Sequence, residues 1–154
     1  MIEAELDSLN KRAQNYLDSI PPETDPILTT MLHRYLCVLI SSNIDKAIHL
    51  ILTAYATQRG SVQLAHYVSR RYVRGTNYNT QRIITALSLF DAQWGAEFEQ
   101  AVSDADLKER IDSIYSLRNA VAHGELPNIS GPSVRGYFDV QMKVVALIKK
   151  IVLG

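Results

Sequence analysis

The chain has 154 residues, 47% of them hydrophobic and 21% charged, and a formal net charge of zero. This is one domain's worth of ordinary globular composition, enough for a real core, and it excludes a disordered chain. Neutrality gives no bulk electrostatic ground for nucleic acid or membrane binding. The charge is unevenly spread, however. Residues 59–82 carry five arginines and no acid, while residues 1–30 and 91–112 are net acidic, so a local basic patch is compatible with a neutral whole.

The single cysteine, Cys37, lies in an apolar run. It fits a reducing compartment and a buried, unreactive role. The N-terminal MIEAELDSL lacks the basic-then-apolar order of a signal peptide. No uninterrupted apolar stretch approaches the roughly 18 residues of a bilayer span. The expectation is a cytoplasmic protein with no membrane contact.

Taken in order, the apolar spacing is helical almost throughout. Residues 2–20 present one stripe through Leu6, Leu9, Ala13 and Leu17, ended by Pro21 and Pro22. Asp25-Pro26 reads as a helix start. Residues 26 to about 58 predict one long helix, or two separated by a kink. Its two apolar stripes are divided by the polar insert Ser41-Ser42-Asn43, followed by Asp45. Polar groups there need partners, and a kink or a solvated edge is the plainer account of them. The sharper account turns Asp45 toward the motif described below. Asp45 and His49 are also spaced to pair along the helix.

Residues 61–74 predict a short helix ending at Gly75. Its arginines, Arg70, Arg71 and Arg74, either complement the helix C-terminus or contact phosphate. Tyr67, Tyr72 and Tyr78 interleave with them, an arrangement suited to single-stranded RNA. After the TNYN loop, a helix runs from Thr80 to about Phe90 and another from Ala92 to Val102, with Trp94 and Phe98 on one face. Ser103, with Asp106 three residues on, predicts a capping box. The helix it opens steps through Leu107, Ile111, Ile114, Arg118 and Val121, so an arginine occupies a place in the apolar stripe. Such a guanidinium needs a partner or lines a cleft. A final helix follows, capped by Ser133. The expected fold is all-α, a single-domain bundle of about five to six helices, with residues 1–25 forming an N-terminal helix and Pro-rich turn and 26–154 the core.

Residues 118–124 read RNAVAHG. Histidine titrates near neutral pH and serves as general acid or base. Arginine stays cationic and presents a fork that fits phosphate oxygens. Those are the parts needed for metal-free RNA cleavage by the ribose 2′-OH. The spacing sets a difficulty, because five residues place Arg118 and His123 roughly 140° apart on an ideal helix. Either the helix loosens before Gly124, or two chains pair so that both dyads flank one groove. Asn119, four residues before His123, shares its face. The four histidines show no close metal-ligand spacing, and no phosphate-binding glycine loop is present. No metal or cofactor is expected.

The RN-x-x-x-H-G ending on the penultimate helix of an all-α chain resembles the HEPN superfamily. With SSNIDKAI on the long helix and FDAQWGAEF before the acidic helix, roughly residues 30–150 resemble its RiboL-PSP-type branch. The resemblance implies a homodimer with a composite cleft between the copies. It implies a metal-independent endoribonuclease of a toxin–antitoxin, phage-defence or related conflict system, acting on RNA and partnered by an antitoxin or regulatory protein. Arg118 and His123 then carry catalysis, Asn119 supports them, and Asp45 matches the acidic position of the long helix. Arg70, Arg71 and Arg74 are the RNA-contact candidates. Some HEPN domains are non-catalytic RNA-binding or protein-interaction modules, which is the alternative. A helical adaptor with an accidental motif is a third reading, and it requires Arg118 to be salt-bridged within the monomer and far from any cleft.

Overall fold

A computed structural model describes residues 1–71 and 76–154. Its described residues form seven helices and no strand. They are α1 (Ile2–Asp18), α2 (Pro26–Arg59), α3 (Val62–Arg71), α4 (Thr80–Ser88), α5 (Ala92–Asp104), α6 (Lys108–Ala122) and α7 (Gly131–Leu153). The fold is all-α as expected, with more helices than the five or six the sequence suggested. Arg74, Tyr72 and the helix stop at Gly75 lie outside the described residues.

The 34-residue α2 is the axis of the bundle. It packs against α7, α1, α3 and α6, while α4 and α5 form a hairpin that leans on α6 and α7. Its start is as the sequence indicates. The Asp25 carboxylate accepts from the backbone N–H of Ile27 at 3.0 Å and Leu28 at 3.2 Å, and Pro26 opens the helix without forfeiting a bond. Leu36, Ile40, Ile48, Ile51 and Leu52 are buried along it, facing Val134, Val140, Val144 and Ile148 of α7 across the core.

No kink divides α2. The polar insert is absorbed by partners instead. Asn43 Nδ2 donates to the Leu9 carbonyl at 3.2 Å and to Gln141 Oε1 at 3.3 Å, and Gln141 Nε2 donates to Asn10 Oδ1 at 2.9 Å. This amide chain joins α1, α2 and α7 and offsets part of the cost of burying Asn43 and Gln141, with Asn43 Oδ1 left without a partner among the described residues. By length and apolarity α2 meets the requirement for a bilayer span, contrary to the sequence count, but 61% of its most apolar window is buried inside the bundle. Its apolarity serves the core.

Two expected caps are replaced. Ser130, not Ser133, caps α7, accepting from the Ser133 N–H at 3.2 Å, because Gly131-Pro132 already form the first turn. The capping box at Ser103 and Asp106 does not form. Ser103 lies in the last turn of α5, and Asp106 adopts φ +54. Leu107 N–H bonds to the Val102 carbonyl at 2.9 Å and Asp106 N–H to that of Ser103 at 3.2 Å. This is a Schellman stop, sealed by buried Val102 and Leu107. Phe98 is buried as expected, and Trp94 stacks on Phe90 beside the Tyr55 ring edge.

Candidate active site

α6 carries the motif on a regular helix to its end. His123 is the C-cap, and Gly124 takes φ +82. Gly124 N–H bonds to the Val121 carbonyl at 3.1 Å and Glu125 N–H to that of Ala120 at 2.9 Å, a second Schellman stop. The helix therefore does not loosen before Gly124, and the first way of bringing His123 back to Arg118 is not taken. His123 is exposed, and its ring has no hydrogen bond or ion pair among the described residues. The chain beyond it is fixed to α2. Arg34 donates from Nε to the Pro127 carbonyl at 2.9 Å and from Nη2 to that of Leu126 at 3.1 Å. His33 Nδ1 lies 2.8 Å from the Ile129 carbonyl, which assigns the proton to that nitrogen.

Arg118 is half-buried, as its place in the apolar stripe implies. Its Nη1 donates to Asn119 Oδ1 at 3.3 Å. It forms no ion pair among the described residues, so the salt bridge that the adaptor reading required is not made. Asn119 Oδ1 also accepts a short hydrogen bond from Asn77 Nδ2. Asn77 sits at φ +53, a left-handed conformation that asparagine tolerates better than most residues. Its Oδ1 accepts from Ser41 Oγ at 3.3 Å.

Asp45 reaches this cluster through the same loop. Its carboxylate accepts from the backbone N–H of Asn77 at 2.8 Å and of Tyr78 at 3.1 Å. Burial pushes its carboxyl above the ordinary range, against the opposing pull of those two donors and of the Arg118 and Arg82 guanidiniums. The expected Asp45–His49 pair is not made. His49 Nδ1 is buried without a partner among the described residues, and burial lowers the basicity of its ring. The loop is secured from two further sides. Asp112 Oδ1 accepts from the Thr80 N–H at 2.9 Å. Arg82 donates from Nη1 to the carbonyls of Thr76 at 3.1 Å and Asn77 at 3.2 Å, with its guanidinium 5.5 Å from the Tyr115 ring centre.

Arg118, Asn119 and Asp45 are thus brought together through Asn77, while His123 stands apart at the exposed helix end. Asn77 is the residue that the sequence reading missed. Its signal is the TNYN stretch, whose asparagines read equally well as helix-capping residues. That reading holds for Asn79, whose Oδ1 accepts from the Arg82 N–H at 2.8 Å. Of the three RNA-contact candidates, Arg70 and Arg71 are exposed on the last turn of α3.

The sequence model of the RiboL-PSP-HEPN family matches residues 3–153. The chain belongs to the RiboL-PSP-HEPN family. The match extends beyond the stretch 30–150 that carried the resemblance and takes in α1, which the Asn10–Gln141–Asn43 chain ties to the core. No match was found among curated proteins or among solved structures. The geometry of this HEPN chain is a half-buried cation beside a clamped amide, with an exposed imidazole at the end of the same helix. A phosphodiester could be neutralised at the first and exchange protons with the second.

Proposed function

We propose that this HEPN chain is a homodimeric, metal-independent endoribonuclease of a toxin or defence-type system. The observation that carries the reading is the half-buried Arg118, held by Asn119 with no carboxylate paired to it among the described residues, in a chain of this family. Arg118 would neutralise the non-bridging oxygens as charge builds in the transition state. The ribose 2′-oxygen attacks phosphorus and gives up its proton, the P–O5′ bond breaks, and O5′ takes a proton. The second copy's His123 serves one of these transfers, across the groove from Arg118, and solvent serves the other. The products are a 2′,3′-cyclic phosphate and a 5′-hydroxyl. The spacing supports a homodimer, because a regular helix keeps Arg118 and His123 about 140° apart. Asn119 orients the arginine. Asp45 acts one step back, by holding the Asn77 loop. An antitoxin or regulatory protein is the expected partner.

The test is cleavage of a single-stranded RNA by purified protein in excess EDTA, with the product ends identified. Cleavage that persists and is lost in His123→Ala supports the reading, and a strict requirement for Mg²⁺ in the wild type overturns the metal-free mechanism. A non-catalytic HEPN module that binds RNA or protein is the second reading. It is favoured by one observation: nothing among the described residues orients the His123 ring. It predicts a folded dimer that binds without cutting and that leaves growth and cellular RNA unaffected on expression.

A further inference from the structure

A groove of about 520 Å³ lies between the C-terminal end of α2, α3, and the end of α4. A second cavity of about 240 Å³ shares Arg71 and Leu89 with it and extends to Tyr78 and Arg82. Arg82 holds the backbone carbonyl of Asn77, whose side chain clamps Asn119. The two cavities thus adjoin at Arg71 and Leu89, and the second reaches Arg82, one hydrogen bond from the Asn77 loop. Among the described residues, three arginines, Arg59, Arg71 and Arg82, line these cavities and no carboxylate does. None of the three is in an ion pair among the described residues. The wall between Arg59 and Arg71 is apolar, with Leu64 and Val68, and Tyr67 stands on it 65% exposed. Arg70 lines neither cavity.

We propose that this groove is a binding track for single-stranded RNA flanking the cleavage site, with Arg59 and Arg71 on successive phosphates and Tyr67 stacked on an unpaired base. The inference rests on the RNA-directed reading of the chain but not on catalysis. Cations spaced along an apolar, aromatic wall match the alternation of phosphate and base in a single strand. A duplex hides its base faces and has nothing to offer Tyr67. An apolar peptide would leave the three guanidiniums without counter-charge.

The experiment is fluorescence anisotropy with a 5′-labelled 12-nucleotide RNA of mixed sequence. It is run in the His123→Ala background so that cleavage does not interfere, over a range of salt concentrations. The arms are Arg59→Gln/Arg71→Gln, Tyr67→Ala, Tyr67→Phe, and Lys143→Glu on the exposed face of α7, which removes as much net charge as the double variant. Folding is checked by thermal melting in circular dichroism. The double variant is expected to bind about 10-fold or more weakly and to lower the salt slope by about 1.4, the counterion release of two single-strand phosphates. Tyr67→Ala loses about 10-fold and Tyr67→Phe little, because the ring face is what stacks. Binding by the double variant equal to that of Lys143→Glu, with an unchanged salt slope, overturns the track, and so does equal affinity for the annealed duplex. A wild type that never cleaves, yet shows the groove-dependent losses, defeats the catalytic reading and sustains this one.

Discussion

Asn77 offers the sharpest test of the cluster, because its backbone and side chain can be perturbed separately. Asn77→Gly keeps the left-handed backbone at φ +53 without strain and removes the amide. The loss is the bond to Asn119 Oδ1, about 1 kcal/mol, and the longer bond from Ser41 Oγ at 3.3 Å, worth a few tenths of a kcal/mol. Glycine's extra freedom in the unfolded chain adds about 0.5–1 kcal/mol. The expected destabilisation is about 2 kcal/mol. Asn77→Ala suffers the same side-chain loss and a left-handed penalty of about 1–2 kcal/mol, in place of the glycine entropy. It is therefore expected to be the less stable of the two by about 0.5–1 kcal/mol. Urea denaturation at constant m-value reads this directly. Both variants release Asn119, so on the proposed mechanism RNA cleavage falls about 10- to 100-fold through mispositioning of Arg118. Asn77→Ala matching or exceeding Asn77→Gly in stability refutes the left-handed loop. Full cleavage by both refutes the clamp.

The remaining predictions follow from single features. His123→Ala is expected to change stability by less than about 0.5 kcal/mol, because the ring is exposed and unpartnered among the described residues, while abolishing cleavage by about 10²- to 10⁴-fold; a large loss of melting temperature contradicts that placement. Asp106→Gly relieves a left-handed residue at the α5 stop and is expected to stabilise by about 1 kcal/mol, whereas Gly124→Ala at φ +82 costs about as much. Opposite shifts of the denaturation midpoint check both. His49 is held less basic in the fold than its usual 6.5, so the unfolded chain binds the extra proton and stability falls as pH drops below 6.5. Asp45 works the other way. Its carboxyl is raised from 3.8, so its contribution is fully present below 3.8 and is lost as pH rises through its folded value. His49→Leu should flatten the first limb and Asp45→Asn the second in stability–pH profiles.

The helices were legible because their apolar periodicity and their proline and glycine punctuation are local properties. Asp25-Pro26 marks a helix start whatever surrounds it. What was misread depended on distant residues. Ser41 and Asn43 look like a defect in an apolar helix until Asn77 and Gln141, 36 and 98 positions away, supply their partners. Ser103-x-x-Asp106 satisfies the local pattern of a helix start, but burial of Val102 against Leu107 makes it a helix stop. The same division runs through the site. Arg118 could be singled out because it interrupts a stripe, a local anomaly. Asn77 could not, because its meaning comes from meeting Asn119 across 42 positions.

That contrast bears on how the site is assembled. Everything holding Arg118 and Asn119 is inside one chain: α2 through Asp45 and Ser41, α4 through Arg82, and the loop between α3 and α4 through Asn77. The cation is thus preorganised, as transition-state stabilisation demands. The imidazole is not. The Schellman stop fixes the His123 backbone yet leaves its ring in solvent. A general acid or base needs a fixed geometry relative to the proton it moves. On the proposed mechanism, the missing constraint must come from the second copy or from the RNA itself. Cleavage then follows the concentration of dimer, and mixing Arg118→Ala with His123→Ala discriminates the two sources. Recovered cleavage in the mixed dimer means that each copy supplies the group the other lacks. No recovery, with dimers still forming, places a complete site within one chain and leaves the RNA to order His123.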